Sequence, residues 1–124
     1  SGHFYFKNFW KADSGMLAAL YAIAELMNSD ATLSDLLKPY NRYFSSGEVN
    51  SKVKDPQKSV KDIKKLYQGE YEVDDLDGLT VTAKEWWFNL RPSNTEPLLR
   101  LNVEAETQKQ MITIRDAVLA QIKR

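Results

Sequence analysis

The chain has 124 residues, 17 basic and 17 acidic side chains with zero formal net charge, one His and no Cys. Without Cys there are no disulfides, thiolate metal sites or cysteine nucleophiles; one His cannot build a multi-histidine zinc site, and zero net charge argues against bulk electrostatic binding of nucleic acid. Hydrophobic residues at 43% and charged residues at 27% describe an ordinary globular domain with a real core, and no apolar run reaches the roughly 18 residues a membrane helix needs.

Aromatic residues crowd the start of the chain: Phe4, Tyr5, Phe6, Phe9 and Trp10. Asp13 or Ser14 is suited to cap a helix with Met16, Leu17, Leu20, Ile23, Ala24 and Met27 on its apolar positions. Ala18, Ala19, Tyr21 and Ala22 fill the remaining sides, and only Glu25 is charged. A helix apolar all round needs partners all round. Thr32 caps a second short helix reaching about Tyr40. No strand in this stretch offers these helices a sheet, so residues 1–44 are expected to be the C-terminal remnant of a larger α/β domain.

Residues 45–124 read as a self-sufficient domain. Gly47 to Val53 is a predicted strand, and Asp55-Pro56 sets an N-cap followed by Pro at the first helical position. Val60, Ile63, Leu66 and Tyr67 form that helix's apolar stripe, with Gly69 as its stop. Tyr71–Leu76 and Leu79–Ala83 flank Asp77-Gly78, a hairpin signal in which both turn positions favour left-handed conformers. Glu85–Arg91 and Leu98–Ala105 are two more strands; Leu99, Leu101, Val103 and Ala105 alternate with polar neighbours, the period of a sheet with one buried face. Thr107 to Gln110 spells a capping box ahead of a closing helix lined by Met111, Ile114, Val118 and Ile122, with Lys123 and Arg124 at its end. The order β-α-β-β-β-β-α predicts an α+β fold: an antiparallel sheet of four to five strands with helices on one face.

The segment richest in chemistry is Arg91-Pro92-Ser93-Asn94-Thr95-Glu96-Pro97, between two predicted strands. Two prolines stiffen it. Ser93, Asn94 and Thr95 supply short hydrogen-bond donors, and Arg91 a planar fork matching two phosphate oxygens. Such a loop suits a phosphate or sulfate ester; a Pro-bounded turn that bonds only to itself has the same composition. His3 is either a surface residue or a near-neutral proton donor or acceptor beside a sugar hydroxyl or phosphate. Six Lys and two Asp between Lys52 and Lys65, and five acids from Glu70 to Asp77, read as solvated faces. Of Trp86, Trp87 and Phe88, Trp86 and Phe88 are expected in the core.

The loop at 91–97, continued by Leu98-Leu99-Arg100-Leu101, resembles the phosphate-binding loop in the last domain of the α-D-phosphohexomutases. Ser1-Gly2-His3 is similar to the end of that family's sugar loop, Gly-Glu-x-Ser-Gly-His, in the third domain. Ala12-Asp13-Ser14-Gly15 and Gly47-Glu48-Val49-Asn50 also resemble bacterial phosphomannomutase/phosphoglucomutase sequences, and Asn94 favours that branch over phosphoglucosamine mutase. The resemblance implies a four-domain isomerase that interconverts hexose 1-phosphate and hexose 6-phosphate of mannose or glucose, and the absence of Cys makes a reducing cytoplasm its default home. A phosphoserine in the first domain, Mg2+ on an Asp-rich loop of the second, and a hexose 1,6-bisphosphate intermediate belong to that mechanism. Neither the Ser-His-Asn-Pro loop nor the Asp-Gly-Asp-x-Asp-Arg loop occurs in this sequence. The expected assignment is therefore the tail of the third domain (1–44) and the fourth domain (45–124, TATA-box-binding-protein-like), inactive without upstream domains. The family pattern gives Arg91, Ser93, Asn94 and Thr95 the non-transferring phosphate, Ser1 a sugar hydroxyl, and His3 a place near the reacting phosphate. A free-standing phospho-ligand module without catalysis, and a phosphoglucosamine mutase, are the alternatives.

Overall fold

The computed structural model describes residues 3–123. They fall into two compact units, Ser1–Asn41 and Arg42–Arg124.

The first unit is small and helical. Ser14, not Asp13, caps α1 (Gly15–Met27): its backbone is extended and its Oγ accepts from the Leu17 N–H at 3.1 Å. Thr32 caps α2 (Leu33–Leu37), which runs into a 3-10 turn at Lys38–Tyr40. Neither helix contains a buried residue, and Met16, Leu20, Tyr21, Ile23 and Met27 of α1 are all exposed among the described residues. Burial by a partner is what normally stabilises a helix of this length. We therefore expect amide hydrogen exchange to be faster in α1 than in the central strands of the second unit; equal or slower exchange over residues 16–27 would contradict this.

The second unit carries the core. Its elements are β1 (Phe44–Ser45), β2 (Val49–Lys52), α3 (Pro56–Tyr67), β3 (Glu72–Asp74), β4 (Leu79–Thr82), β5 (Trp86–Pro92), β6 (Leu98–Ala105) and α4 (Gln108–Ile122). The sheet is antiparallel in the order β1-β6-β5-β4-β3, with β2 also paired to β6. Six strands therefore fill five positions, because β1 and β2 lie end to end along one edge of β6. Between them Ser46 stays bonded to that edge: its N–H donates to the Val103 carbonyl and its Oγ accepts from the Val103 N–H, both at 2.9 Å. The strand predicted at 47–53 is β2, and the short β1 ahead of it was not expected, since a two-residue pairing leaves no periodic signal.

Period-two alternation decides which face is dry. Leu99, Leu101, Val103 and Ala105 of β6, Phe88 and Leu90 of β5, and Leu79 and Val81 of β4 are buried with Ile63 of α3 and Met111, Val118 and Ile122 of α4. Trp86 and Phe88 both join this face, as expected: their rings lie parallel, 6.1 Å apart, and Tyr67 meets Phe88 edge-on at 5.1 Å. Asp55 caps α3 with Pro56 behind it, accepting from the Lys58 N–H at 2.9 Å. Leu66 departs from the expected stripe and is exposed. The capping box is half made. Thr107 accepts from the Gln110 N–H at 3.2 Å, but the Gln110 side chain donates to Glu85 at 2.8 Å instead of reaching back. The 77–78 turn also differs: Gly78 is left-handed at φ 73°, whereas Asp77 is not among the positive-φ residues. The loop spans residues 75–78, longer than the two-residue hairpin expected, and needs only one left-handed position.

Candidate functional site

The sheet face turned away from α3 and α4 carries the polar half of the alternation. Trp87, Asn89 and Arg91 of β5 stand directly opposite Glu104, Asn102 and Arg100 of β6. Trp87 donates its indole N–H to Glu104 at 3.2 Å. Toward the hairpin end of the same face, register sets Arg91 against Arg100. Two like charges opposed across a ladder are unfavourable unless acids or an anion stand by them.

Acids do stand by, at long range. Glu48 lies 3.7 Å from an Arg91 terminal nitrogen and 3.9 Å from the Arg100 Nε, while Asp77 reaches the other Arg91 nitrogen at 3.4 Å. None of these contacts has the short, bidentate geometry of a strong Arg–carboxylate pair. The Arg100 Nε is buried and has no hydrogen-bond partner among the described residues. A buried charged donor left unpaired is costly, so a group of this kind calls for an acceptor.

Above the two arginines lies the Ser93–Pro97 loop. Its base is closed by the Ser93 N–H to the Leu98 carbonyl at 2.9 Å and the Leu98 N–H to the Glu96 carbonyl at 2.8 Å. Pro97 offers its carbonyl to the Val53 N–H at 3.2 Å, fastening the loop to the end of β2. At the tip the contacts are loose: Ser93 Oγ is 3.4 Å from both the Thr95 hydroxyl and the Thr95 N–H. Asn94 and Thr95 are exposed. The tip hydroxyls thus bond within the loop through long contacts, while shorter backbone bonds close its base. Arg91 lies near the end of β5, and Ser93, Asn94 and Thr95 lie in the loop that follows it. Arg100 was missed, although its place in the strict alternation of β6 put it on Arg91's face.

A groove of about 780 Å³ lies elsewhere, at the edge of the helical layer, floored by Val53, Ile63, Leu66 and Ile122 and rimmed by Lys52, Lys54, Lys58 and Lys123. It shares no residue with the 91–97 loop.

In the first unit, Ser1 lies outside the described residues. His3 is exposed and its Nδ1 sits 2.5 Å from Asp13 Oδ2, while Asp13 Oδ1 accepts the Phe4 N–H at 2.8 Å. These two bonds, His3 first, hold the Asp13 carboxyl below the usual carboxylate range. Asp13 was read as an alternative helix cap; Ser14 takes that role and frees Asp13 to hold His3.

Among the described residues no cluster of three His, Cys, Asp or Glu is arranged to hold a metal. No described helix is long and apolar enough to cross a membrane.

Residues 48–121 match the profile described as the phosphoglucomutase/phosphomannomutase C-terminal domain, and residues 1–43 the alpha/beta/alpha domain III of the same family. The chain is 43% identical over 111 residues to a phosphomannomutase of Methanocaldococcus jannaschii, covering 90% of this chain and 24% of that protein. It is 37% identical over 121 residues to an Escherichia coli K12 phosphomannomutase, covering 96% of this chain and 26% of the relative. A Xanthomonas campestris protein named phosphohexose mutases is 41% identical, covering 100% and 28%. The chain thus spans about a quarter of the length of these relatives. A crystal structure of a phosphoglucomutase/phosphomannomutase family protein from Burkholderia thailandensis superposes with a TM-score of 0.74 at 27% identity, covering 98% of this chain and 26% of that one. With a domain profile matched over most of the second unit and the fold shared, the chain belongs to the phosphoglucomutase/phosphomannomutase family.

Proposed function

We propose that this chain is the substrate-phosphate-binding portion of a cytoplasmic phosphomannomutase/phosphoglucomutase, with residues 1–44 the end of its third domain and 45–124 its fourth. The observation that carries the reading is the Arg91–Arg100 pair at the base of the Ser93–Pro97 loop, with the Arg100 Nε buried and lacking a hydrogen-bond acceptor among the described residues. A phosphate dianion meets all of these needs. Its oxygens replace the distant carboxylates of Glu48 and Asp77 as acceptors for the guanidinium groups and take bonds from Ser93, Asn94 and Thr95.

In this reading the loop holds the phosphate that is not being transferred. Mannose or glucose 1-phosphate and 6-phosphate present the same tetrahedral dianion from either end, so one anchor serves both orientations of the hexose bisphosphate intermediate. Binding energy at the remote phosphate positions the reacting end. His3 stands near the reacting phosphate and Ser1 at a sugar hydroxyl. The phosphoryl donor and the Mg2+ ligands belong to upstream domains of the same polypeptide.

The test uses two proteins. The 124-residue chain should show no mutase turnover and bind mannose 1-phosphate at best in about the millimolar range, because no second domain closes over the loop to exclude water. Its amide shifts should move at Ser93, Asn94 and Thr95. The polypeptide extended through its upstream domains should show Mg2+-dependent interconversion. Turnover by the purified chain, or an inactive extended enzyme whose loop still binds sugar phosphate, would overturn the reading, the latter in favour of a binding module.

A further inference from the structure

Two left-handed residues close the first turn of the chain. Trp10 and Lys11 have φ of 50° and 53°, values that neither residue type adopts without cost. Around them the backbone folds back on itself: the Phe9 N–H donates to the Phe6 carbonyl at 3.1 Å, the Ala12 N–H to the Phe9 carbonyl at 2.8 Å, and the Ser14 N–H to the Phe4 carbonyl at 3.0 Å. Tyr5 and Asp13 form an isolated antiparallel bridge across it. This hairpin returns Asp13 to His3, ten residues earlier.

The donor logic then fixes a proton. Asp13 Oδ1 accepts the Phe4 N–H, and the carboxyl is held in its ionised form by that bond and the His3 contact. An ionised carboxylate only accepts, so at 2.5 Å the His3 Nδ1 must be the donor. The neutral ring therefore carries its hydrogen on Nδ1 and turns the Nε2 lone pair away from Asp13. No described residue bonds to Nε2, and the His3 side chain is 62% exposed.

We infer that Asp13 is a positioning residue that sets the tautomer and orientation of His3 for proton transfer at Nε2. This rests on the mutase reading above. In the first half-reaction a sugar hydroxyl oxygen forms a bond to phosphorus as the bond from phosphorus to the donor serine oxygen breaks. The hydroxyl proton passes to the His3 Nε2, and the imidazolium that forms is stabilised by the Asp13 carboxylate on its other nitrogen. In the reverse transfer Nε2 returns the proton to the departing sugar oxygen. Asp13 itself touches no substrate, and among the described residues the other ring close to His3 is Tyr5, with centroids 6.4 Å apart.

The chain's single His makes the first measurement direct. In the 15N-labelled chain at alkaline pH, the ring should show its proton on Nδ1; in Asp13→Asn and Asp13→Ala it should move toward Nε2, with the domain fold unchanged by amide spectra. In the extended polypeptide, Asp13→Asn should lower kcat by roughly tenfold or more, and by no more than the roughly 10²–10⁴-fold that general acid–base catalysis supplies. KM should hold, and Asp13→Glu should recover part of the rate. A wild-type ring protonated on Nε2, or an unchanged kcat in Asp13→Asn beside an active wild type, would overturn the proposal. An inactive wild-type extended enzyme would instead sink the mutase reading, leaving the tautomer measurement to stand by itself.

Discussion

Arg91→Ala, made in the polypeptide with its upstream domains, should lower kcat/KM for hexose phosphate by about 2 kcal/mol or more, roughly thirtyfold, with a raised KM. Arg91 lies on the polar face of β5 opposite Arg100, away from the buried residues of the core. Its removal strips two donors from the site without opening a cavity. Glu48, 3.7 Å from Arg91 and 3.9 Å from Arg100 in the free protein, then has Arg100 alone and competes better against incoming phosphate. Loss of the guanidinium and strengthened competition act in the same direction. Arg91→Lys should recover only part of the loss, since an ammonium cannot make the fork. Unchanged kinetics in a folded Arg91→Ala enzyme would remove the phosphate assignment.

How much of this was legible before the structure depends on how local each signal is. The alternation in β6, the Asp55-Pro56 start of α3 and the Ser-Asn-Thr loop are written in consecutive residues, and each lies where expected. Partnership across the sheet is not written that way. Arg100 was read only as a polar position of β6; it becomes part of the site when register places it opposite Arg91, and its orphan Nε is a property of packing. Glu48 and Asp77 reach the arginines from β2's approach and the β3–β4 loop, 43 and 14 residues from Arg91 in sequence. The His3–Asp13 pair was hidden for a similar reason. A strained turn at Trp10 and Lys11 makes it, and no propensity rule favours left-handed Trp or Lys. Where two local readings competed for the same residue, as with Asp13 and Ser14 for the α1 cap, only geometry decided.

Gly78→Ala should destabilise the second unit by about 2 kcal/mol or more and disturb the Ser93–Pro97 loop together with the fold. Gly78 sits at φ 73°, a conformation costing an L-residue about 1–2 kcal/mol. A Cβ there also meets the Leu90 carbonyl oxygen and the Arg91 Cβ at 2.7 Å and the Arg91 Cα at 2.9 Å. Two of these atoms are backbone, so a rotamer change cannot relieve the overlap; β5 or the β3–β4 turn must move. Either motion alters the ground beneath Arg91 and its spacing to Asp77. Gly47→Ala supplies the internal control. Gly47 is likewise left-handed, at φ 62°, but nothing lies within 4 Å of its added Cβ, so it carries the conformational cost alone. Urea midpoints of the two variants separate the terms: Gly47→Ala should lose about 1 kcal/mol. Gly78→Ala should lose about twice that or more, with weaker mannose 1-phosphate shifts at Ser93 to Thr95. Equal midpoints would mean that the turn yields without touching β5, and that Arg91 is not held in place by the close approach of Gly78.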